Sequence, residues 1–193
     1  MKYEPHEYQK YAVEYIETHP ASAIFLDCGL GKTSITLTAI GDLLFDSFEV
    51  HRVLVIAPLR VARDTWTAEA DKWDHLQNLI CSVAVGTEAQ RRAALMRRAD
   101  IYIINRENVQ WLMDESGIPF DFDMVVIDEL SSFKNHQTVA VKGQTQGGTH
   151  RRADRRSRIQ WSDGSVGGVP HPGHGTAIGQ VYHKVPHRLF HAR

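Results

Sequence analysis

Residues 26–33 read Leu-Asp-Cys-Gly-Leu-Gly-Lys-Thr, and about a hundred residues later 124–130 read Met-Val-Val-Ile-Asp-Glu-Leu. The first segment is a glycine-rich turn that closes on Gly31, Lys32 and Thr33. The second is an apolar run that delivers two adjacent carboxylates, Asp128 and Glu129. A nucleoside triphosphate and its magnesium need both parts. Backbone N–H groups around Gly29, Leu30 and Gly31, continuing to Ser34 at the start of a helix, can cradle phosphates, and the Lys32 ammonium can reach the β and γ oxygens. The Thr33 hydroxyl and the Asp128 carboxylate are hard oxygen ligands suited to Mg²⁺, and Glu129 can orient an attacking water. The glycine that opens the strict G-x-x-x-x-G-K-T pattern is here Leu26.

Such a loop works only between a strand and a helix. Ala23–Leu26 is a short apolar run suited to a buried strand, and 33–45 places Ile35, Leu37, Ala39, Ile40, Leu43 and Leu44 at helical spacing. Further strands are predicted at 53–57, 80–85, 101–104 and 124–127, with helices at 6–18, 60–73, 88–98 and 106–114. This alternation predicts an α/β fold with a mostly parallel sheet and helices on both faces, whose ligands bind at the carboxyl ends of the strands. The glycine loop and Asp128-Glu129 both fall there.

The composition, 42% hydrophobic over 193 residues, suffices for one ordinary core. No run approaches the roughly 18 apolar residues of a membrane span, and the first residues lack the pattern of a signal peptide, so a soluble cytoplasmic protein is expected. Cys28 and Cys81 do not make a disulfide framework.

The averages conceal a break. Residues 1–137 carry 13 Lys and Arg against 21 Asp and Glu, whereas 138–193 carry 9 against 2, with one leucine and 9 of the 14 glycines. The first part is therefore expected to be the folded domain and the second a disordered or loosely packed basic tail.

With the elements placed, five ordered segments resemble the first RecA-like domain of superfamily 2 helicase-like ATPases, of the Swi/Snf-related kind found in phages and prophages. Pro5-His6-Glu7-Tyr8-Gln9 resembles the family's adenine-reading segment, which puts base contact on Gln9. Asp27–Thr33 matches motif I. Val55-Ile56-Ala57-Pro58 with Thr65-Trp66, Glu69 and Trp73 is similar to motif Ia and its flank, and Ile103–Glu107 to motif Ib. Asp128–Asn135 is similar to motif II. The resemblance implies ATP and Mg²⁺ as cofactors, DNA as partner, and catalytic roles for Lys32, Asp128 and Glu129.

It also implies what should follow: a strand ending in motif III, set between the motif I and motif II strands, and a second lobe that supplies an arginine. Neither is legible in this frame after Asn135. A truncated lobe, inactive alone, is expected, with a gap in the middle of the sheet. The alternative is a non-enzymatic remnant that binds ATP weakly or only associates with nucleic acid.

Several residues carry two readings. Trp66 and Trp73, seven apart, fit helical packing better than base stacking. Arg91-Arg92 and Arg97-Arg98 fit a solvated helix face better than a nucleic-acid patch. Asp121 and Asp123 read as turn residues. In the tail, His183, His187 and His191 would align on a helix as metal ligands, but Pro186 interrupts that helix. A shift of one nucleotide offers another account. It lets 153–159 spell Leu-Thr-Gly-Ala-Pro-Ala-Ser and 160–168 continue Asn-Gly-Leu-Met-Asp-Leu-Trp-Ala, which resembles the family's motif III region. The tail then reads as that region translated out of frame, with the slip near 136–138.

Overall fold

Val53–Ala57 (β2) and Ile101–Asn105 (β4) are buried at every position and carry one polar residue between them, Asn105. Strands of that composition belong in the middle of a sheet covered on both faces. The computed structural model describes residues 1–129 and the strand 178–184, with side chains of that strand placed at Gln180, Tyr182 and Lys184. The elements are α1 (Glu7–Thr18), β1 (Ala21–Leu26), α2 (Lys32–Gly41), β2, α3 (Trp66–Lys72), β3 (Cys81–Ala84), α4 (Glu88–Met96), β4, α5 (Val109–Asp114), β5 (Met124–Ile127) and β6 (Ile178–Lys184). The expected elements of the first 129 residues are present within a few residues of their anticipated ends. Wider, π-type turns extend α2 over Asp42–Asp46 and precede α3 over Val61–Thr65.

The sheet order is β1-β6-β5-β2-β4-β3. From β5 to β3 the four strands are parallel, as the alternating pattern predicts. Because successive side chains point to opposite faces, each strand serves two cores. Val53, Val55, Ile101, Ile103 and Val126 pack with α1, α2 and α3 through Ile16, Ile35, Ile40 and Trp66. Leu54, Ile56, Tyr102, Ile104 and Val125 pack on the other face with Leu95, Trp111 and Leu112 from α4 and α5.

The gap expected between β1 and β5 is filled. β6 pairs antiparallel with both, Ile24 opposite Gln180 on one side and Val126 opposite Tyr182 on the other. Here the structure differs from the disordered tail expected. The inner edges of β1 and β5 would otherwise bury a row of unpaired N–H and C=O groups, and an extended segment running in either direction satisfies that ladder. Lys184 fastens the far end of β6, donating to Glu49 Oε2 at 2.9 Å and to the Glu17 carbonyl. The rest of the tail, the histidine spacing at His187 and His191, and motif II from Leu130 to Asn135 lie outside the described residues.

Candidate nucleotide site

The phosphate loop follows β1 and ends as the N-cap of α2. Gly29 and Gly31 have φ of +85° and +78°, left-handed values that an L side chain adopts only with strain. A Cβ at Gly31 would lie 2.6 Å from Gln9 Nε2 and 2.9 Å from Ser34 Oγ, whereas one at Gly29 would meet nothing within 4 Å. Gly31 is thus needed for close packing beneath the loop, and Gly29 lines open space above it. Lys32 lies back across the loop, its Nζ donating to Leu26 O at 2.8 Å and Asp27 O at 2.9 Å. Thr33 sits half-buried in the first turn of α2. Ser34 is buried and donates its hydroxyl to Gly31 O at 2.9 Å, so its side chain shapes the loop from below.

Gln9 is also turned to the loop. Its Oε1 accepts from the His6 N–H at 2.8 Å, a bond that closes the start of α1, and its Nε2 reaches Leu30 O at 3.5 Å. Tyr8 adds a second contact to Leu30 O at 3.2 Å. The segment resembling an adenine reader therefore packs directly on the phosphate loop. Leu30, at the crest, is exposed.

Asp128 leaves the end of β5 with its N–H held by Ile56 O at 2.8 Å and its side chain 5% exposed. Each carboxylate oxygen has a donor: Gln180 Nε2 on Oδ1 at 2.9 Å and Trp66 Nε1 on Oδ2 at 3.2 Å. Trp66 is fully buried, which excludes base stacking and agrees with helical packing; its bond to Asp128 carried no signal in the sequence beyond the tryptophan itself. Glu129 follows with φ +58°, a left-handed conformation rare outside glycine and concentrated at functional sites. Of the predicted catalytic residues, Lys32 thus sits at the end of β1, and Asp128 and Glu129 at the end of β5, on the same edge of the sheet with β6 between.

Other sequence candidates find structural partners. Trp73 donates to Glu69 Oε1 at 2.7 Å and packs edge-on against Tyr3. Arg91 and Arg92 lie over the Trp111 ring, with Arg91 also donating to Gly86 O at 2.6 Å, so both fasten α4 to its surroundings. Arg97 and Arg98 are exposed. Asn105, in the segment like motif Ib, is buried and donates to Glu107 Oε2 at 2.7 Å. Asp123 caps the approach to β2 by accepting the N–H groups of His51 and Arg52, and Asp121 pairs with Arg52, consistent with turn roles. Both cysteines are free thiols, and burial pushes that of Cys81 up to about 11.

The residues present fit a magnesium nucleotide. The loop keeps an open, Cβ-free cradle at Gly29, and the expected metal donors, the Thr33 hydroxyl and the Asp128 carboxylate, are both oxygen. Such donors suit Mg²⁺, which is held by one or two carboxylates together with substrate phosphates.

The chain resembles known proteins over the same region. The family model for the SNF2-related domain matches residues 8–153. The putative protein p41 of Acyrthosiphon pisum secondary endosymbiont phage 1 is 36% identical over 132 residues, covering 68% of this chain and 29% of that protein. The DNA repair and recombination protein RAD54 of Oryza sativa subsp. japonica is 25% identical over 126 residues, covering 60% of this chain and 13% of that one. The chain thus spans less than a third of the length of these relatives. The SWI2/SNF2 ATPase core of Sulfolobus solfataricus, solved in complex with dsDNA, superposes with a TM-score of 0.57 at 23% identity, over 70% of this chain and 28% of that one, a likeness of fold. Among the described residues no helix is long and apolar enough to cross a membrane. The match over residues 8–153 makes this chain a member of the SNF2-related domain family.

Proposed function

We propose that the chain is the ATP-binding lobe of a DNA-dependent ATPase of superfamily 2. The observation that carries this reading is the placement of the Gly29–Thr33 loop and the Asp128-Glu129 pair on one edge of the sheet, at the carboxyl ends of β1 and β5. Bound magnesium nucleotide would bring the phosphoryl group to be transferred and the metal that offsets its charge. The chain's own part follows from its residues. The N–H groups at the start of α2 would face the phosphates, and Lys32, now on the Leu26 and Asp27 carbonyls, would neutralise charge on them. Thr33 and Asp128 would hold the metal, and Glu129 would accept a hydrogen bond from the attacking water. Gln9, already against Leu30, is placed to couple base contact to the shape of the loop. Movement of a complete two-lobed protein along DNA is what the resemblance to superfamily 2 ATPases implies.

Calorimetric titration of the 193-residue chain with ATP and with GTP, with and without Mg²⁺, tests the reading. Magnesium-dependent binding of ATP, lost in Lys32→Ala and weakened in Gln9→Ala, is expected. Equal affinity for ATP and GTP would remove the role given to Gln9, and binding indifferent to Lys32→Ala would remove the site.

A further inference from the structure

Gln180 is 1% exposed, yet it is polar and stands in the middle of the sheet. Burying an amide costs free energy unless each of its atoms finds a partner. Here they do. Nε2 donates to Asp128 Oδ1 at 2.9 Å, and Oε1 accepts from Thr36 Oγ1 at 2.6 Å and from the Tyr182 hydroxyl at 2.8 Å. The orientation of the amide follows from the chemistry of its neighbours. A carboxylate oxygen accepts, so the NH₂ group faces Asp128, while the Tyr182 hydroxyl donates to the amide oxygen and the single Thr36 proton is shared between that oxygen and the Lys32 carbonyl, 2.7 Å away.

The consequence is geometric. Asp128 receives one N–H on each oxygen, from Trp66 on one side and Gln180 on the other. Two donors from different elements fix the plane of the carboxylate and leave its remaining lone pairs in set directions. Thr36, which holds Gln180 from the other end, lies on α2 three residues beyond Thr33. The two proposed metal ligands, Thr33 and Asp128, are therefore tied to each other through Thr36 and Gln180. Gln180 lies beyond residue 153, outside the residues that the family model matches.

We propose that Gln180 is a positioning residue for Asp128: it orients the carboxylate toward a bound magnesium nucleotide and links that orientation to the helix that carries the phosphate loop. The inference rests on the nucleotide site described above. Partners that orient a metal ligand typically change metal affinity by about 10- to 100-fold when removed.

The test compares the full chain with Gln180→Leu and Thr36→Val, titrated with ATP in excess Mg²⁺ and again in EDTA, with thermal melts to report folding. Magnesium-dependent affinity should fall about tenfold in Gln180→Leu, and by less in Thr36→Val, while affinity in EDTA is unchanged. A loss of equal size with and without metal would mark a merely structural residue and overturn the proposal. So would a gain from Mg²⁺ that survives Gln180→Leu intact. Should that variant not fold, Gln180→Met, close in shape to the parent and without a donor for Asp128, decides by the same comparison. Absence of ATP binding by the unmodified chain under both conditions would overturn the nucleotide site itself, and this proposal with it.

Discussion

Trp66 and Asp128 meet across 62 positions of sequence, the indole N–H donating to Oδ2 at 3.2 Å inside the core. The contact joins the helix after β2 to the carboxylate after β5, so a residue that reads as packing also satisfies a buried charge. Trp66→Phe keeps most of the volume and removes the donor. A buried acceptor left without its partner costs about 1–3 kcal/mol. Denaturant unfolding should show a loss in that range, and a change below a few tenths would mean that water or another group takes over.

The two loop glycines should respond differently to alanine. Both have positive φ, and left-handed backbone costs an L residue about 1–2 kcal/mol. Only at Gly31 would the new methyl also press on Gln9 and Ser34, at 2.6 and 2.9 Å. Melting temperatures should fall in the order parent, Gly29→Ala, Gly31→Ala. Equal effects would argue that Gln9 moves aside freely.

Glu17 provides a pH signature remote from the nucleotide site. Burial, then the hydrogen bond and charge of Asp42, push its carboxyl up from 4.5 to about 7, with Lys184 acting the other way. The folded chain therefore binds this proton more tightly than the unfolded chain does. The stabilisation from it is complete below 4.5 and is lost as the pH rises to about 7. Relative to Glu17→Gln, which cannot titrate, the parent should lose stability across that window and stay level above it. Unfolding free energies of both proteins at several pH values would reveal it, and parallel curves would count against the shift.

Assayed alone, the 193-residue chain should show little DNA-stimulated ATP turnover. The family resemblance assigns the charge-stabilising arginine to a second lobe, and such a residue is worth about 10³–10⁵ in rate. Steady-state assays with and without DNA decide the matter. Robust turnover abolished by Lys32→Ala would show that this lobe suffices.

The out-of-frame reading of the tail has its own check in the nucleotide sequence. Codons over 153–168 should spell the motif III-like string when shifted by one base, with the slip near 136–138. A stop codon within the shifted frame, or codons that cannot encode it, would refute the reading. The bond between Gln180 and Asp128 belongs to the chain as translated, whichever way its codons arose.

How much could be read in advance follows the range of the interactions. Helix and strand positions up to β5 follow from apolar spacing over ten or so residues, and the glycine loop from the backbone it requires, so both were legible. The parallel sheet follows too, because strands such as Val53–Ala57, apolar throughout, need two covered faces. Even the slot between β1 and β5 could be anticipated from the family resemblance. What filled it could not: Ile178–Lys184 carries no motif, and its place depends on two strand edges brought together from positions about a hundred residues apart. The same holds for the surroundings of Asp128. The sequence supplies the carboxylate and its chemistry, but its donors, Trp66 and Gln180, lie 62 and 52 residues away. Hydrogen bonds of that range are fixed by strand order and register, which only the folded sheet decides.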